Sequence, residues 1–584
     1  MHSRDGALKK LEQAMTTHIS VDKKIALGSA ILGIPLLLGF LGSAVQGWPT
    51  VFDDAFITYR YAKNLAMGYG ITWNPGQAPT EGYTNFLLVV LLAPFIRLGA
   101  DPLLVTRLLS YLSAVAMSGF IFVFAKRRYG AKNTTAMLIA SLILLVPQTR
   151  ILCLIGLETV LYALLLLVTF HMGVTLVELR NKASAVLFAI LLFLTMLLRP
   201  EAALLYPLVL LFYLNRIRRS PKLRDEIKPL ALGSLVLLAT GGAYLTWKYV
   251  HFGHLLPNPF HLKLAGASLF SPAGADSVSS FVSGNSLVVA LACASLLLCL
   301  SGDQGSWSKG RLPALLGLGF AFLYVCLFIH ADTYMDVGGR FMFPLLPLLM
   351  CVSVPALAQA ISSLESRTGE RLVVFSGLVV IVVLAFGARD LLGMFENAKR
   401  LVPEDEEKTD HSLMQRELGV AKTLSTFPDI SQVRIAFGDS GVIPYFTGAV
   451  WLDVVGINDG AIARSRNREA LLDHFFGFEA DLVIHPGGGG RGWITYGHGP
   501  LGDYESWADD PRWDDYHYVG TVTTNVYDLQ FILRTSSPHY HALKEFLRRD
   551  VVDGWYEVLP LRIGTSKPSG AMPPVWVQRP MPRG

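Results

Sequence analysis

FDDAFITYRYAKNLAMGYGITWNPGQAPTEG, residues 52 to 82, sets an adjacent carboxylate pair, Asp53 and Asp54, just beyond an uncharged apolar run at 25–45. That run is long enough to cross a hydrocarbon core of about 30 Å at roughly 1.5 Å per residue. Its polar lead carries Arg4, Lys9, Lys10, Lys23 and Lys24, is longer than a signal-peptide n-region, and is followed by no small-residue cleavage pattern. The sequence therefore predicts a retained first span with a cytoplasmic N-terminus at 1–24, and puts the paired acids in a loop too polar to enter lipid.

Working outward, the chain of 584 residues is 52% hydrophobic and 16% charged, too apolar for an ordinary soluble enzyme. A mean hydropathy of +0.43 points the same way. Cys153, Cys293, Cys299, Cys326 and Cys351 all fall inside apolar runs, with neither a disulfide framework nor zinc spacing. The excess of five positive charges lies in short loops between spans, where it sets orientation and gives no footprint for nucleic acid.

Further apolar runs occupy 102–125, 134–146, 151–177, 183–198, 202–214, 229–247, 286–300, 312–329, 341–361 and 372–388. With the first, they predict about eleven spans. Alternate loops then carry the cations Lys126, Arg127, Arg128 and Lys132, then Arg180 and Lys182, then 216–228, Lys309 and Arg311, and Arg367 and Arg371, as cytoplasmic loops should. A full crossing at 84–96 would turn every later loop over, so that stretch reads as juxtamembrane or re-entrant. The expected organisation is a transmembrane domain over 25–395, with its first outer loop at 46–101, and a soluble extracytoplasmic domain over 396–584.

That last segment is long enough to fold by itself. Strands are predicted at 433–438, 449–456 and 481–486, with helices at 412–425 and 463–475, a small α/β layer. Gly487 to Gly490 reads as a loop, and the Pro-rich tail after Pro573 as extended.

Asp53 and Asp54 suit a glycosyl transfer: one carboxylate takes the acceptor proton while its neighbour holds a hydroxyl or a metal, and close like charges raise one pKa towards neutral. The pair equally suits a helix start, Asp53 capping a helix at 55–67. Tyr59, Tyr61, Asn64, Trp73, Asn74, Glu81, Tyr83 and Asn85 offer stacking faces and hydrogen bonds for sugar, as well as an interfacial aromatic belt. A phosphate leaving group needs cations, and Arg199, Lys248, Lys263 with the neighbouring His261, and Arg340 are the candidates. Arg199 also suits an ion pair with Glu201. His251, His254 and His261 share a loop without a zinc pattern. Asp332 and Asp336 suit an acceptor or a divalent cation, or plain solvation. Asp439, Asp453 and Asp459 fall near strand ends, where open α/β sheets bind ligands and where turn and cap residues also gather.

Taken in order, DDAFITYRYAKNLAMGYGITWNPG, EGYTNF, GLET, LLRPEA, FGHLLPNPFHLK, HADTYMDVGGRFMFPLLP and GDSGVIPYFTGAVWLDVVGINDGAIAR resemble polytopic bacterial glycosyltransferases of the GT-C fold. The likeness is to the arabinofuranosyltransferases, among them the types that act on mycobacterial terminal arabinan and on pilin. It implies a bacterial inner-membrane enzyme with a polyprenyl-phosphate sugar donor and a glycan or protein acceptor on the extracytoplasmic face. It also implies catalysis at Asp53 and Asp54, with Lys263 and Arg340 near the donor phosphate. LLPNPFHLK departs from the family pattern, which has a Thr and aromatic residues before the lysine. A hexose donor of the mannosyl type is compatible with the same residues. A flippase for lipid-linked sugar would show internal repeats and midplane ionisable groups, and the sequence shows neither.

Overall fold

The computed structural model describes residues 40, 52–265, 271–301, 310–331, 333, 336–368, 415–465, 467–487, 510–523 and 528–552. The runs expected at 25–45 (Phe40 apart) and 372–388 lie outside the described residues, as do the N-terminus at 1–24, Asp332, residues 488–490 of the glycine loop and the Pro-rich tail.

Helices fill the first part of the chain. The stretch expected as the first outer loop, 46–101, carries α1 (Asp53–Ala66) and α2 (Phe86–Arg97). There follow α3 (Pro102–Tyr129), α4 (Asn133–Leu145), α5 (Pro147–Leu154), α6 (Thr159–Leu179) and α7 (Lys182–Leu198). Then come α8 (Leu205–Ile217), α9 (Leu223–Phe252), α10 (Asn258–Ala265), α11 (Pro272–Gly284), α12 (Ser286–Ser301), α13 (Leu312–Ile329) and α14 (Leu345–Thr368). Four of these, α3, α6, α9 and α13, are long and apolar enough to cross a membrane, or up to six if the bent pairs α4/α5 and α11/α12 each count as one span. Three shorter apolar helices are α2, α7 and the 345–361 part of α14.

Local chemistry sets the ends. Asp101 caps α3 by accepting from the Leu103 N–H at 2.8 Å, with Pro102 at the first helical position, and Gly130 closes the helix at φ 64°. Pro147 opens α5 at a bend of 48° from the preceding helix. The expected run 151–177 is thereby divided: residues 151–154 belong to the bent unit, and α6 starts only at Thr159. Helix α11, PAGADSVSSFVSG, was not expected from its small and polar composition.

The two ends of the bundle are chemically unlike. At one end Arg128, closing α3, forks onto Glu178 near the end of α6, and Arg180 meets Glu226 of α9 at 2.9 Å. At the other, Arg199 after α7 bonds Glu158 ahead of α6 at 2.7 Å, and Lys248 of α9 meets Glu81 of the outer loop at 3.0 Å. Among the described residues, the cations of 126–132, 180–182 and 216–228 belong to connections at the first end, and the C-terminal domain sits on the second.

That domain holds a five-stranded sheet, β1 (Arg434–Phe437), β2 (Val450–Asp453), β3 (Leu482–Gly487), β4 (Tyr516–Thr523) and β5 (Asp528–Arg534), in the order β2-β1-β3-β5-β4. The β1/β2 and β1/β3 pairs are parallel and the β3/β5 and β4/β5 pairs antiparallel. β1 and β2 lie in the predicted strand segments, β3 extends one residue beyond the third to take in Gly487, which was expected in the loop, and β4 and β5 lie where no strand was predicted. Helices α15 (Gln415–Leu424), α16 (Val442–Phe446), α17 (Gly460–Arg464), α18 (Arg468–Gly477) and α19 (Tyr540–Phe546) flank the sheet.

Side chains alternate across the strands, and both faces are buried. Ile435, Leu482, Ile484, Leu529, Phe531 and Leu533 join one apolar core that runs on into the helical bundle. Ala436, Val483 and Ile532 face a second core built on Phe475, Phe476 and Trp513. Phe475 is fully buried, with its ring 5.6 Å from that of Trp513. Phe475→Ala is expected to cost about 3–5 kcal/mol, read as an earlier denaturant midpoint of the full-length protein in detergent.

Candidate active site

The first turn of α1 carries both acids, where the helix dipole favours negative charge. Neither caps the helix: the cap position is Phe52, in extended conformation and without a side-chain bond. The Asp53 carboxylate instead accepts the Val442 N–H at 2.6 Å, from a residue 389 positions away. Gly441 lies flat against it; a Cβ there would stand 2.0 Å from the Asp53 carbonyl oxygen and 2.3 Å from its Oδ2. The turn GDSG after β1 thus closes over Asp53.

Asp54 points elsewhere. Its Oδ2 accepts from Arg340 at 2.7 Å, and its side chain keeps 28% exposure against 10% for the arginine. Arg340 follows the turn at Gly338 and Gly339, both at positive φ (66° and 68°), a conformation that glycine adopts without strain. Phe52 and Phe341 flank its guanidinium at 5.4 and 5.0 Å. Its Nε is buried and makes no hydrogen bond among the described residues. Asp336, expected at the acceptor, accepts the Phe341 N–H at 3.2 Å and so supports this turn.

Burial raises the Asp53 pKa well above the ordinary carboxylate range, helped by the charge of Asp439, a hydrogen bond with its carboxyl, and the charge of Asp54, against the Val442 N–H, which lowers it.

The other expected residues have partners inside the protein. Arg199 bonds Glu158, not Glu201, because Glu158 stands ahead of α6 directly across from the end of α7, and Asn85 completes the network at 2.8 Å. Tyr59 donates to the Gly156 carbonyl at 2.7 Å. Glu81 is buried against Lys248, and burial raises its pKa to about 7 despite the lysine. Tyr83 packs on Tyr61, with ring centres 4.8 Å apart. Trp73 lies under the Arg60 guanidinium at 4.6 Å. Asn74 pairs with the backbone of Trp451 in both directions, at 2.8 and 3.1 Å, and so satisfies the outer edge of β2. Tyr59, Trp73, Asn74, Glu81, Tyr83 and Asn85 are each buried. The amides and rings that suit sugar suit a protein junction equally well.

His251 meets the Ile71 carbonyl at 3.3 Å, and His261 is half-buried on α10, which packs against α17. The backbone of Lys263 also lies in α10, and its side chain falls outside the described structure. Asp453 organises the turn after β2, accepting from the N–H groups of Val455, Gly456 and Asn458, and burial raises its pKa to about 6. Asp459 caps α17 and meets His474 at 3.0 Å. Among the described residues no group of three or more His, Cys, Asp or Glu is arranged to hold a metal ion.

Between the outer loop and the domain lies a cleft of about 460 Å³, whose walls include Trp73, Asn74, Gln77, Asn458, Asp459 and His474. Two residues of the junction, Gly441 and Arg60, were given no role of their own by the sequence reading, whereas Glu158 was expected on the outer side with Arg199 and Glu201. The only signal for Gly441 and Arg60 was a polar or glycine residue inside a motif quoted for other reasons.

Residues 411–558 match a family model described as a domain of unknown function, DUF8728. No curated protein matches the chain in sequence. In structure the chain is similar to ArnT from Cupriavidus metallidurans in its apo-state crystal structure, with a TM-score of 0.51 at 14% identity, over 86% of this chain and 99% of that one. The chain has a GT-C fold. At this identity the likeness concerns architecture alone, so the chemistry has to come from the side chains.

The close approach at Gly441 gives a test of the junction. Gly441→Ala is expected to destabilise the docked domain by about 1–3 kcal/mol, seen as faster proteolytic release of the C-terminal domain. Gly448→Ala, where a Cβ meets nothing within 4 Å, should leave the rate unchanged.

Proposed function

We propose that the protein is a membrane glycosyltransferase that moves a sugar from a polyprenyl-phosphate donor to a glycan or protein acceptor on the extracytoplasmic face. The sugar is D-arabinofuranose on the sequence resemblance given above. The observation that carries the reading is the 2.7 Å pair between Asp54 and Arg340, set where the first outer loop meets the α/β domain of a GT-C fold. The eleven-span topology, with the cation-rich end of the bundle in the cytoplasm, rests on loop charge.

Asp54 is the base. It is the more exposed of the two acids, and it stands 2.7 Å from the guanidinium of Arg340. The acceptor hydroxyl gives its proton to Asp54 as its oxygen bonds to the anomeric carbon, and the bond from that carbon to the phosphate oxygen breaks. Charge develops on the departing polyprenyl phosphate. Protonating Asp54 removes the counter-charge from Arg340 at that moment, which leaves the guanidinium for the phosphate. Proton uptake and leaving-group stabilisation are coupled through one pair. The buried Nε of Arg340, without a hydrogen bond in the described structure, is a further donor at the same place.

Two measurements test this. With a radiolabelled polyprenyl-phosphate arabinose donor, Asp54→Asn should lower kcat by about 10²–10⁴-fold while leaving the donor KM near its starting value; transfer at the full rate would sink the reading. For the topology, a cysteine placed at Gly477 should react with an impermeant thiol reagent on intact cells, and one at Lys132 should not.

A further inference from the structure

The segment that joins α9 to α10, residues 253–262, is anchored by one side chain. Asn258 is fully buried, whereas every other residue of that stretch is half-buried or exposed, Leu255, Leu256 and Phe260 among the exposed. A side-chain amide offers both donors and an acceptor, and Asn258 turns both to the C-terminal domain. Its Nδ2 donates to the Ile457 carbonyl at 3.3 Å, and its Oδ1 accepts from the Arg464 guanidinium at 3.2 Å. Its backbone N–H points the other way and donates to the Glu81 carbonyl of the outer loop at 3.0 Å. A helix of eight residues such as α10 does not hold itself in water, so these tertiary contacts decide where it sits.

Three segments meet at this point. A Cβ on Gly82 would stand 2.8 Å from the same Ile457 carbonyl oxygen, so the outer loop abuts the domain where Asn258 bonds it. Glu81 also holds the helix that leads into the segment, through its pair with Lys248 at 3.0 Å. On the domain side α10 packs against α17, the helix that ends in Arg464. His261 and Lys263 follow Asn258 on α10, roughly 5 and 8 Å further along its axis.

We propose that Asn258 is a positioning residue that fastens α10 to the docked α/β domain, so that affinity for the lipid-phosphate donor depends on a contact made by that domain. The donor half rests on the transferase reading, with Lys263 beside the donor phosphate; the fastening does not. A side chain that merely completed the junction would act on docking instead. The junction, however, has hydrogen bonds of Arg60, Tyr61 and Asn74 to the domain that do not involve α10. Loss of Asn258 therefore frees α10 and leaves the domain in place.

The test uses the full-length protein in nanodiscs, with Asn258→Ala and, from the other side of the contact, Arg464→Ala, a change at an exposed position that should not disturb folding. Without ligand, backbone hydrogen exchange over 260–265 should speed up in both variants, while proteolytic release of the C-terminal domain keeps its wild-type rate. With a radiolabelled polyprenyl-phosphate arabinose donor, each variant should raise the donor KM about tenfold and leave kcat within about twofold. Binding of polyprenyl phosphate without a sugar should weaken by the same factor. The double variant should be no worse than the worse single one, as for two partners in one contact. Unchanged exchange over α10, a fall in kcat at constant donor KM, or domain release that quickens in step with the loss of affinity overturns the proposal. Wild-type protein that binds no polyprenyl phosphate would count against the transferase reading, and the exchange rates would still decide whether Asn258 fastens α10.

Discussion

The structure depends on a guanidinium with nowhere to go. Arg60, in the middle of α1, is buried, and no carboxylate among the described residues pairs with it. Backbone and amide oxygens surround it from two sides: Trp73 and Asn74 of the outer loop, and the Pro444 and Ala449 carbonyls of the C-terminal domain. A buried charge short of acceptors is costly. Taking the domain away would cost Arg60 half of that shell, so the loop and the domain are held together by the need to solvate one cation. Tyr61 to Asn458, Lys63 to Tyr445 and Asn74 to Trp451 extend the same seam with hydrogen bonds of 3.1, 3.2 and 2.8 Å.

With the seam fixed, the two acids at the start of α1 face different surroundings. Asp53 turns under the GDSG turn, out of water, and Asp54 turns towards Arg340 and solvent. Neighbouring carboxyl groups of the same kind thereby meet unlike partners, a backbone N–H for Asp53 and a guanidinium for Asp54. The division comes from packing, because a helix turn separates the directions of successive side chains by about 100°.

Several signals were readable in the chain. Apolar runs and loop cations pointed to a membrane bundle with one basic end, and the adjacent acids marked the first outer loop. Strand patterns at 433–438, 449–456 and 481–486 mark the three strands of the parallel part of the sheet, the last of them ending one residue later, at Gly487. The hairpin of β4 and β5 was missed, since YHYVGTVT and DLQFILR carry alternation weakened by a bulge near Gly520. The outer-loop aromatics and amides suggested sugar contacts, yet most are buried in the junction, because hydrogen-bonding capacity in a sequence does not say whether a protein or a ligand will use it.

The sequence by itself determined the apolar bundle, the position of the paired acids and the α/β character of the C-terminal part, since each rests on local periodicity or on charge close along the chain. Only the tertiary structure decided which acid meets which partner. Arg340 reaches Asp54 from 286 residues away and Val442 reaches Asp53 from 389. Contacts at such separations leave no periodic trace, and they exist only once bundle and sheet have been packed against each other.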